Sequence, residues 1–326
     1  MPASPGTASP AARPVLTVTR ASDREVVATR TFLAPRALVF EAMTRPEHLI
    51  RWWGPRSVPL IDIEMDLRPG GHYRFVSRAA DGTIHPFKGK FLEIEPPGRL
   101  VMTQVYDVPP ANEHQLVSTI ELEERDGITH MTARSVFDAK EALDGYVASG
   151  MEWGMRETYE RLDELVADAD REIFTMRTFH APVALVYEAF TDPVHLGEWW
   201  GPNGFRTTTY EHRVAPGGTW RFMMHGPDGT DYPNRVVYQD VVPRERLVWN
   251  HYADTDELHF TGTVTFTAVD ATRTTVSLHL LAPSAAAMAE MRKFGAVEGA
   301  QQNLARFGEH LERRLSGDLR PAGQAG

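Results

Sequence analysis

Phe40-Glu-Ala-Met-Thr-Arg-Pro-Glu-His-Leu-Ile-Arg-Trp-Trp-Gly-Pro55 occurs twice in this chain. The second copy, Tyr187-Glu-Ala-Phe-Thr-Asp-Pro-Val-His-Leu-Gly-Glu-Trp-Trp-Gly-Pro202, begins 147 residues later. Glu, Ala, Thr, Pro, His, Leu and Trp-Trp-Gly-Pro stay in register. At that offset Arg24 to Met102 aligns with Arg171 to Trp249 without a gap, and 34 of 79 positions are identical. The period is too long for a solenoid unit, so each copy should be a domain of ordinary size. The 326 residues therefore read as two domains, 21–168 and 169–315. Residues 1–20 and 316–326 are poor in large apolar groups and are expected to be disordered tails.

Hydrophobic residues make up 42% of the chain and charged ones 24%, an ordinary globular composition. A formal charge of -10 argues against nucleic acid, whose phosphates need concentrated Lys and Arg. The lack of cysteine removes disulfides, thiolate nucleophiles and cysteine metal sites. No apolar run has the length of a membrane span, and the first ten residues lack the apolar core of a signal peptide. The expectation is a cytoplasmic protein with no membrane or nucleic-acid partner.

From Arg24 onward the first copy opens with a β-rich run, Val26 to Phe32, ending at Ala34-Pro35. A short helix over Ala37 to Ala42 is interrupted at Arg45-Pro46, because a residue before proline avoids the helical region. Pro46 starts a second short helix carrying His48, Leu49, Trp52 and Trp53, which Gly54-Pro55 stops. Six strand-like segments follow, at about 58–67, 71–78, 84–94, 99–106, 115–124 and 128–137. Turn signals such as Arg68-Pro-Gly-Gly71, Asp81-Gly82 and Asp126-Gly127 separate them and imply an antiparallel meander. Spacings of three and four among Met151, Met155, Tyr159, Leu162 and Leu165 predict a long amphipathic helix from Lys140 to Val166. Gly145, Gly150 and Gly154 weaken its first half. The second copy repeats this order, ending in a helix over residues 284–315 with Gly295 and Gly299 in its first half.

The order is strand, two small helices, meander and long final helix. With the residues quoted, each copy resembles the START-like (SRPBCC, Bet v 1-like) superfamily, and more narrowly the family of activator of Hsp90 ATPase homologues. Family features are matched at Pro35 to Pro46, Trp52 to Pro55, Pro69 to Phe75 and Asp81-Gly82. The second copy matches them at Pro182 to Pro193, Trp199 to Pro202, Pro216 to Phe222 and Asp228-Gly229. The last helix departs from the family, with Gly154-Met155 and Gly299-Ala300 where relatives often have Gly-Trp. The resemblance implies an α+β chain of two tandem helix-grip domains, each a curved antiparallel sheet around its C-terminal helix. It also implies a small hydrophobic or amphipathic ligand between sheet and helix. Some relatives catalyse cyclisation and one branch stimulates Hsp90, so a polyketide-cyclase-like enzyme and a chaperone regulator are the alternatives.

In that layout the expected lining of the first copy is Trp52, Tyr73, Phe75, Phe87, Met102, Met151 and Met155. For the second copy it is Trp199, Trp220, Phe222, Trp249, His251, Phe260 and Met291. Adjacent helical residues point about 100° apart, so at most one tryptophan of each Trp-Trp pair should face the cavity. Period-two alternation puts Tyr73 and Phe75 on one face and Arg74 on the other, and likewise Trp220, Phe222 and Arg221. Each arginine either points to solvent or anchors a ligand carboxylate or enolate. For general acid/base chemistry the candidates are His251, His225 and Arg221. The histidine spacing matches no compact metal motif, so no metal or cofactor is expected. Glu121, Glu123 and Glu124 read as the solvent face of an edge strand, and Asp254-Thr-Asp-Glu257 as a solvated loop. The second copy is richer in ionisable aromatics: Arg78 stands opposite His225, Met102 opposite Trp249 and Gln104 opposite His251. The second domain is therefore expected to hold the functional pocket.

Overall fold

The computed structural model describes residues 15–253 and 255–317. The chain divides between Ala167 and Asp168 into two compact units. The expected tails lie outside the described residues except for 15–20, 316 and 317.

The first unit begins with β1 (Thr17–Arg20) and β2 (Glu25–Phe32), followed by α1 (Arg36–Thr44) and α2 (Pro46–Trp52). The meander is β3 (Leu60–Met65), β4 (His72–Arg78), β5 (Ile84–Glu95), β6 (Arg99–Tyr106), β7 (Leu116–Arg125) and β8 (Ile128–Phe137). It ends in α3 (Lys140–Ala148) and α4 (Met151–Asp168). The sheet order is β1-β2-β8-β7-β6-β5-β4-β3. Every neighbouring pair is antiparallel.

The second unit has β9 (Glu172–Phe179), α5 (Val183–Thr191), α6 (Pro193–Trp199) and β10 (Arg206–His212). Then come β11 (Thr219–His225), β12 (Asp231–Val242), β13 (Arg246–Tyr252), β14 (Phe260–Ala268) and β15 (Thr274–Leu281). Helices α7 (Ala285–Lys293) and α8 (Ala296–Leu315) close it. Its order is β10-β11-β12-β13-β14-β15-β9.

The local chemistry follows the prolines and glycines. Pro46 and Pro193 occupy the first turns of α2 and α6, where no amide N–H is needed. The residues before them, Arg45 and Asp192, are extended. Asp192 adds a cap, its Oδ1 accepting from the Val194 N–H at 2.8 Å. Gly150 and Gly295 take positive φ, +86° and +75°, and there the final helix of each unit breaks in two. This corrects the expectation of a single helix, because a left-handed residue cannot continue one.

Two further expectations change. Residues 17–20 are not a tail: Thr17 to Arg20 pair with Thr29 to Val26, and Leu16 is buried beside them, so a β-branched strand with an apolar anchor extends the sheet. β7 is not an edge strand but lies between β8 and β6. Ile120 and Leu122 face the core while Glu121 and Glu123 face solvent.

Each unit has its own core. In the first, Phe32, Val39, Leu49, Trp52 and Leu162 are among the buried residues that meet. In the second, Phe179, Val186, Leu196, Trp199 and Phe307 do so. Fragments cut between Ala167 and Asp168 are therefore expected each to fold and unfold in one cooperative transition, followed by circular dichroism on heating. Two unfolded halves would contradict separate cores.

Candidate functional site

The two tryptophans of each repeat part company at the end of a helix. Trp52 and Trp199 are the last residues of α2 and α6, whereas Trp53 and Trp200 are extended, with φ of -68° and -66°. The helical residue turns into the core. The Trp52 indole N–H donates to Ala42 O at 2.8 Å, and the ring stacks on Tyr159 of α4. Likewise the Trp199 N–H donates to Ala189 O at 3.0 Å, and the ring packs on Phe190 and Phe307. The extended residue turns to the sheet. Trp53 meets Phe75 and Phe87 at 5.5 and 4.8 Å; Trp200 meets Trp220 at 5.0 Å and Trp249 at 6.4 Å. Trp53 and Trp200 thus pack on the inner-face aromatics of each sheet, while Trp52 and Trp199 hydrogen-bond to α1 and α5 and pack on α4 and α8.

An arginine that sequence reasoning missed holds each of these loops. In the first unit Arg161 of α4 donates to Gly54 O at 2.7 Å and to Arg51 O. In the second, Arg306 of α8 donates to Gly201 O at 2.8 Å and Pro202 O at 2.7 Å. Burial lowers the pKa of both guanidinium groups. Both contacts join residues more than one hundred positions apart, so no local pattern announced them.

On the inner face of the second unit, Trp220, Phe222 and Trp249 are buried, and Phe260 and Met291 pack half-buried against them. Trp200, Trp220, Tyr238 and Trp249 are among the groups lining a void of about 10 Å³, room for about one water. Trp249 lies across Gly262, where an added Cβ would come within 2.3 Å of the indole. His251 follows on the same face, its ring stacked on Phe260 at 4.4 Å and 7°. Asn234 Nδ2 donates to Tyr232 O, which turns Oδ1 toward His251 Nε2 at 2.8 Å. Nε2 therefore carries the proton and Nδ1 the lone pair. Nδ1 is buried and has no hydrogen-bond partner among the described residues. Burial, then the neighbouring His259, push the His251 pKa down to about 3.

The other two acid/base candidates are elsewhere. Arg221 is exposed on the outer face of β11. His225, also on that face, has Nδ1 at 2.6 Å from Asp231 Oδ1 and Nε2 at 3.0 Å from Thr208 Oγ1. The alternation that brings Trp220 and Phe222 inward sends both outward, so neither joins His251. Arg74 is likewise exposed, near Asp62 and Glu64. In the loop beyond β13, Asp256 pairs with Arg235, while Asp254 lies outside the described residues.

In the first unit Tyr73 and Phe75 are buried, and Tyr73 donates to Thr103 O at 2.7 Å. Phe87, Met102 and Met155 pack half-buried on the same core. Met151 instead joins Val26, Leu116, Phe137 and Leu143 in a separate cluster. Gln104 stands where the second unit has His251, yet this face is not without ionisable groups. His85 Nδ1 lies 2.9 Å from Tyr106 Oη, and Tyr106 packs on Phe87 at 5.1 Å. The pair was legible from pleat parity, His85 with Phe87 and Tyr106 with Met102. An open cleft of about 660 Å³ is lined by Leu16, Arg30, Arg156 and Asp163 among others, with buried Arg30 paired to Asp163. Among the described residues no group of three or more His, Cys, Asp or Glu converges as metal ligands. None of the helices searched among them is long and apolar enough to cross a membrane.

A curved antiparallel sheet backed by a broken C-terminal helix, with an aromatic inner face and present twice, defines a tandem helix-grip protein of the α+β class. The family described as activator of Hsp90 ATPase homolog 1-like protein matches residues 33–167 and 180–312. The chain belongs to that family. A solved Rhodobacter sphaeroides protein is similar at 25% identity over 47% of this chain and 98% of its own, with a TM-score of 0.43. An Arthrobacter aurescens protein solved by NMR is 26% identical over 46% and 91%, with a TM-score of 0.43. The di-domain ARO/CYC BexL of the BE-7585A biosynthetic pathway is 16% identical over 91% and 100%, with a TM-score of 0.42. No curated protein matches the sequence significantly.

Burial also depresses other histidines of the second unit. His212 is pushed down to about 4. His195 is lowered by burial and then by Arg314. His310 is 0% exposed, with neither ring nitrogen partnered among the described residues. Burial, followed by His195, holds it at about 4. The folded values lie below that of an unfolded histidine, so the unfolded chain takes up more protons as pH falls. Stability of the second unit should be complete above about pH 6.5 and decline toward pH 4. Its melting midpoint is expected to drop between pH 7 and 5. His310→Leu, matching Leu165 of the first unit, should stabilise the unit by about 1–2 kcal/mol, raising the midpoint and reducing that drop. A lower midpoint in the variant, or an unchanged pH profile, would contradict this origin.

Proposed function

We propose that the chain binds a small hydrophobic or amphipathic molecule between sheet and final helix of the second unit, with His251 as its polar anchor. The observation that carries this reading is the buried Nδ1 of His251, without a hydrogen-bond partner among the described residues, beside Phe260 and Trp249. A buried acceptor without a partner costs about 1–3 kcal/mol, which a ligand hydroxyl or N–H would recover. Apolar pockets with a few oriented polar groups are the usual form of small-molecule sites. Because the void holds about one water, a ligand must displace side chains to enter, and Trp200, which lines the void and is only partly buried, is the one placed to give.

An imidazole near pKa 3 is a poor proton acceptor at neutral pH, where general bases work best with a pKa close to ambient. With Arg221 and His225 on the outer face, binding is favoured over cyclase-like proton transfer. The BexL likeness does not alter that preference. The chaperone alternative draws no support from the inner face, and the cytoplasmic placement rests on composition.

The test is titration of the full chain with 1-anilinonaphthalene-8-sulfonate, read by quenching of tryptophan emission. Saturable binding at about micromolar affinity, near -8 kcal/mol, is expected. His251→Ala should weaken it at least about tenfold, whereas Gln104→Ala should change it little. Equal effects at the two positions, or none at His251, would overturn the reading.

A further inference from the structure

The inner face of the first unit carries a different polar group from that of the second, and it is built across three adjacent strands. Ser77 of β4 stands in register with His85 of β5. His85 Nδ1 meets Tyr106 Oη of β6 at 2.9 Å. Ser77 is 1% exposed, and its Oγ has no hydrogen-bond partner among the described residues. A buried hydroxyl without a partner is uncommon, since most such groups are satisfied by protein or water. Beside this row runs an aromatic wall. Trp53 packs edge-on to Phe87 at 4.8 Å, and Phe87 meets Tyr106 at 5.1 Å.

Comparison of the repeats shows that the row belongs to the first unit alone. At the same offset of 147, Ser77 corresponds to Met224, His85 to Tyr232 and Tyr106 to Ala253. In the second unit the Met224 methyl reaches toward Gly201, 3.4 Å from where a Cβ would stand. In the first unit the much shorter Ser77 occupies that place, its Oγ 3.8 Å from the equivalent point on Gly54. Exchange of methionine for serine removes apolar volume under the Trp-Trp-Gly-Pro loop and leaves a hydroxyl in its place.

We propose that Ser77, His85 and Tyr106, walled by Trp53 and Phe87, form a second binding site for a flat aromatic molecule bearing a neutral hydroxyl or carbonyl oxygen. Trp53 and Phe87, packed edge to face on each other, offer ring surfaces against which a planar ring can pack, edge-to-face contacts being favourable between aromatics. The row supplies donors and acceptors in a line. The row holds no arginine or lysine, so a hydroxyl or carbonyl suits it better than a carboxylate or phosphate, which would call for one. The assignment does not depend on His251, because none of its five residues belongs to the second unit.

The experiment is equilibrium dialysis of the full chain against 2-naphthol and against naphthalene, its counterpart without the hydroxyl. Two sites for 2-naphthol are expected in the unaltered chain. Tyr106→Phe should weaken one of them about fivefold, the worth of one neutral hydrogen bond, and leave naphthalene binding unchanged. Ser77→Met, which installs the side chain of the second unit, should abolish that same site. His251→Ala should affect only the other. If Tyr106→Phe and Ser77→Met both leave 2-naphthol binding intact, or if His251→Ala removes all binding, the first-unit site is overturned. If Ser77→Met removes a site and His251→Ala does nothing, this assignment stands and the one for the second unit falls.

Discussion

The structure depends on a hydrogen bond from an indole to a helix carbonyl, made twice. By donating to Ala42 O and Ala189 O, Trp52 and Trp199 fix the ends of α2 and α6 against α1 and α5. A buried indole N–H must find an acceptor, and the helix carbonyl ten residues back supplies it. The chain then leaves the helix, so the next tryptophan is aimed at the sheet. Arg161 and Arg306 complete the arrangement by holding the loop carbonyls that follow. One tetrapeptide thus joins small helices, sheet and final helix, which explains why it is the most recognisable part of both repeats.

The two inner faces have diverged on that shared frame through coupled changes. Trp249 is paired in register with Gly262, and Met102 with Ser118. A side chain at 262 would collide with the indole, so the large residue on β13 and the missing one on β14 act as a unit. Likewise His251 and Asn234 are hydrogen-bonded where the first unit has Gln104 and Phe87. Each face keeps an aromatic wall and a few polar groups, at different places. Two ligand sites of different shape would require such divergence.

Much of this was legible in the sequence. The repeat, the strand order and the turns follow from alternation and from Pro, Gly and Asp-Gly signals, whose physics is local. The facing of His251, Arg221 and Arg74 follows from the two-residue period of a strand. The facing of the Trp-Trp pair did not, because it depends on the helix ending between them, and helix ends are where a periodic pattern is least informative. Gly150 and Gly295 were visible as weak points, but only the backbone shows that each takes a positive φ and splits the helix. The Arg161 and Arg306 contacts span more than one hundred residues, beyond any local signal. β1 was hidden by its composition, since a four-residue strand with one buried leucine before it resembles a tail.

If the inner faces of these sheets receive a ligand, methionine methyl groups report on it directly. Met224 and Met291 pack against the inner core of the second unit, and Met102 and Met155 against that of the first. Met223 alternates to the outer face of β11. In the full chain labelled with carbon-13 at the methionine methyls, titration with an aromatic ligand such as 2-naphthol should shift the four inner signals by ring currents and leave Met223 in place. Shifts confined to Met223, or none at the inner positions at saturating ligand, would contradict binding at these faces.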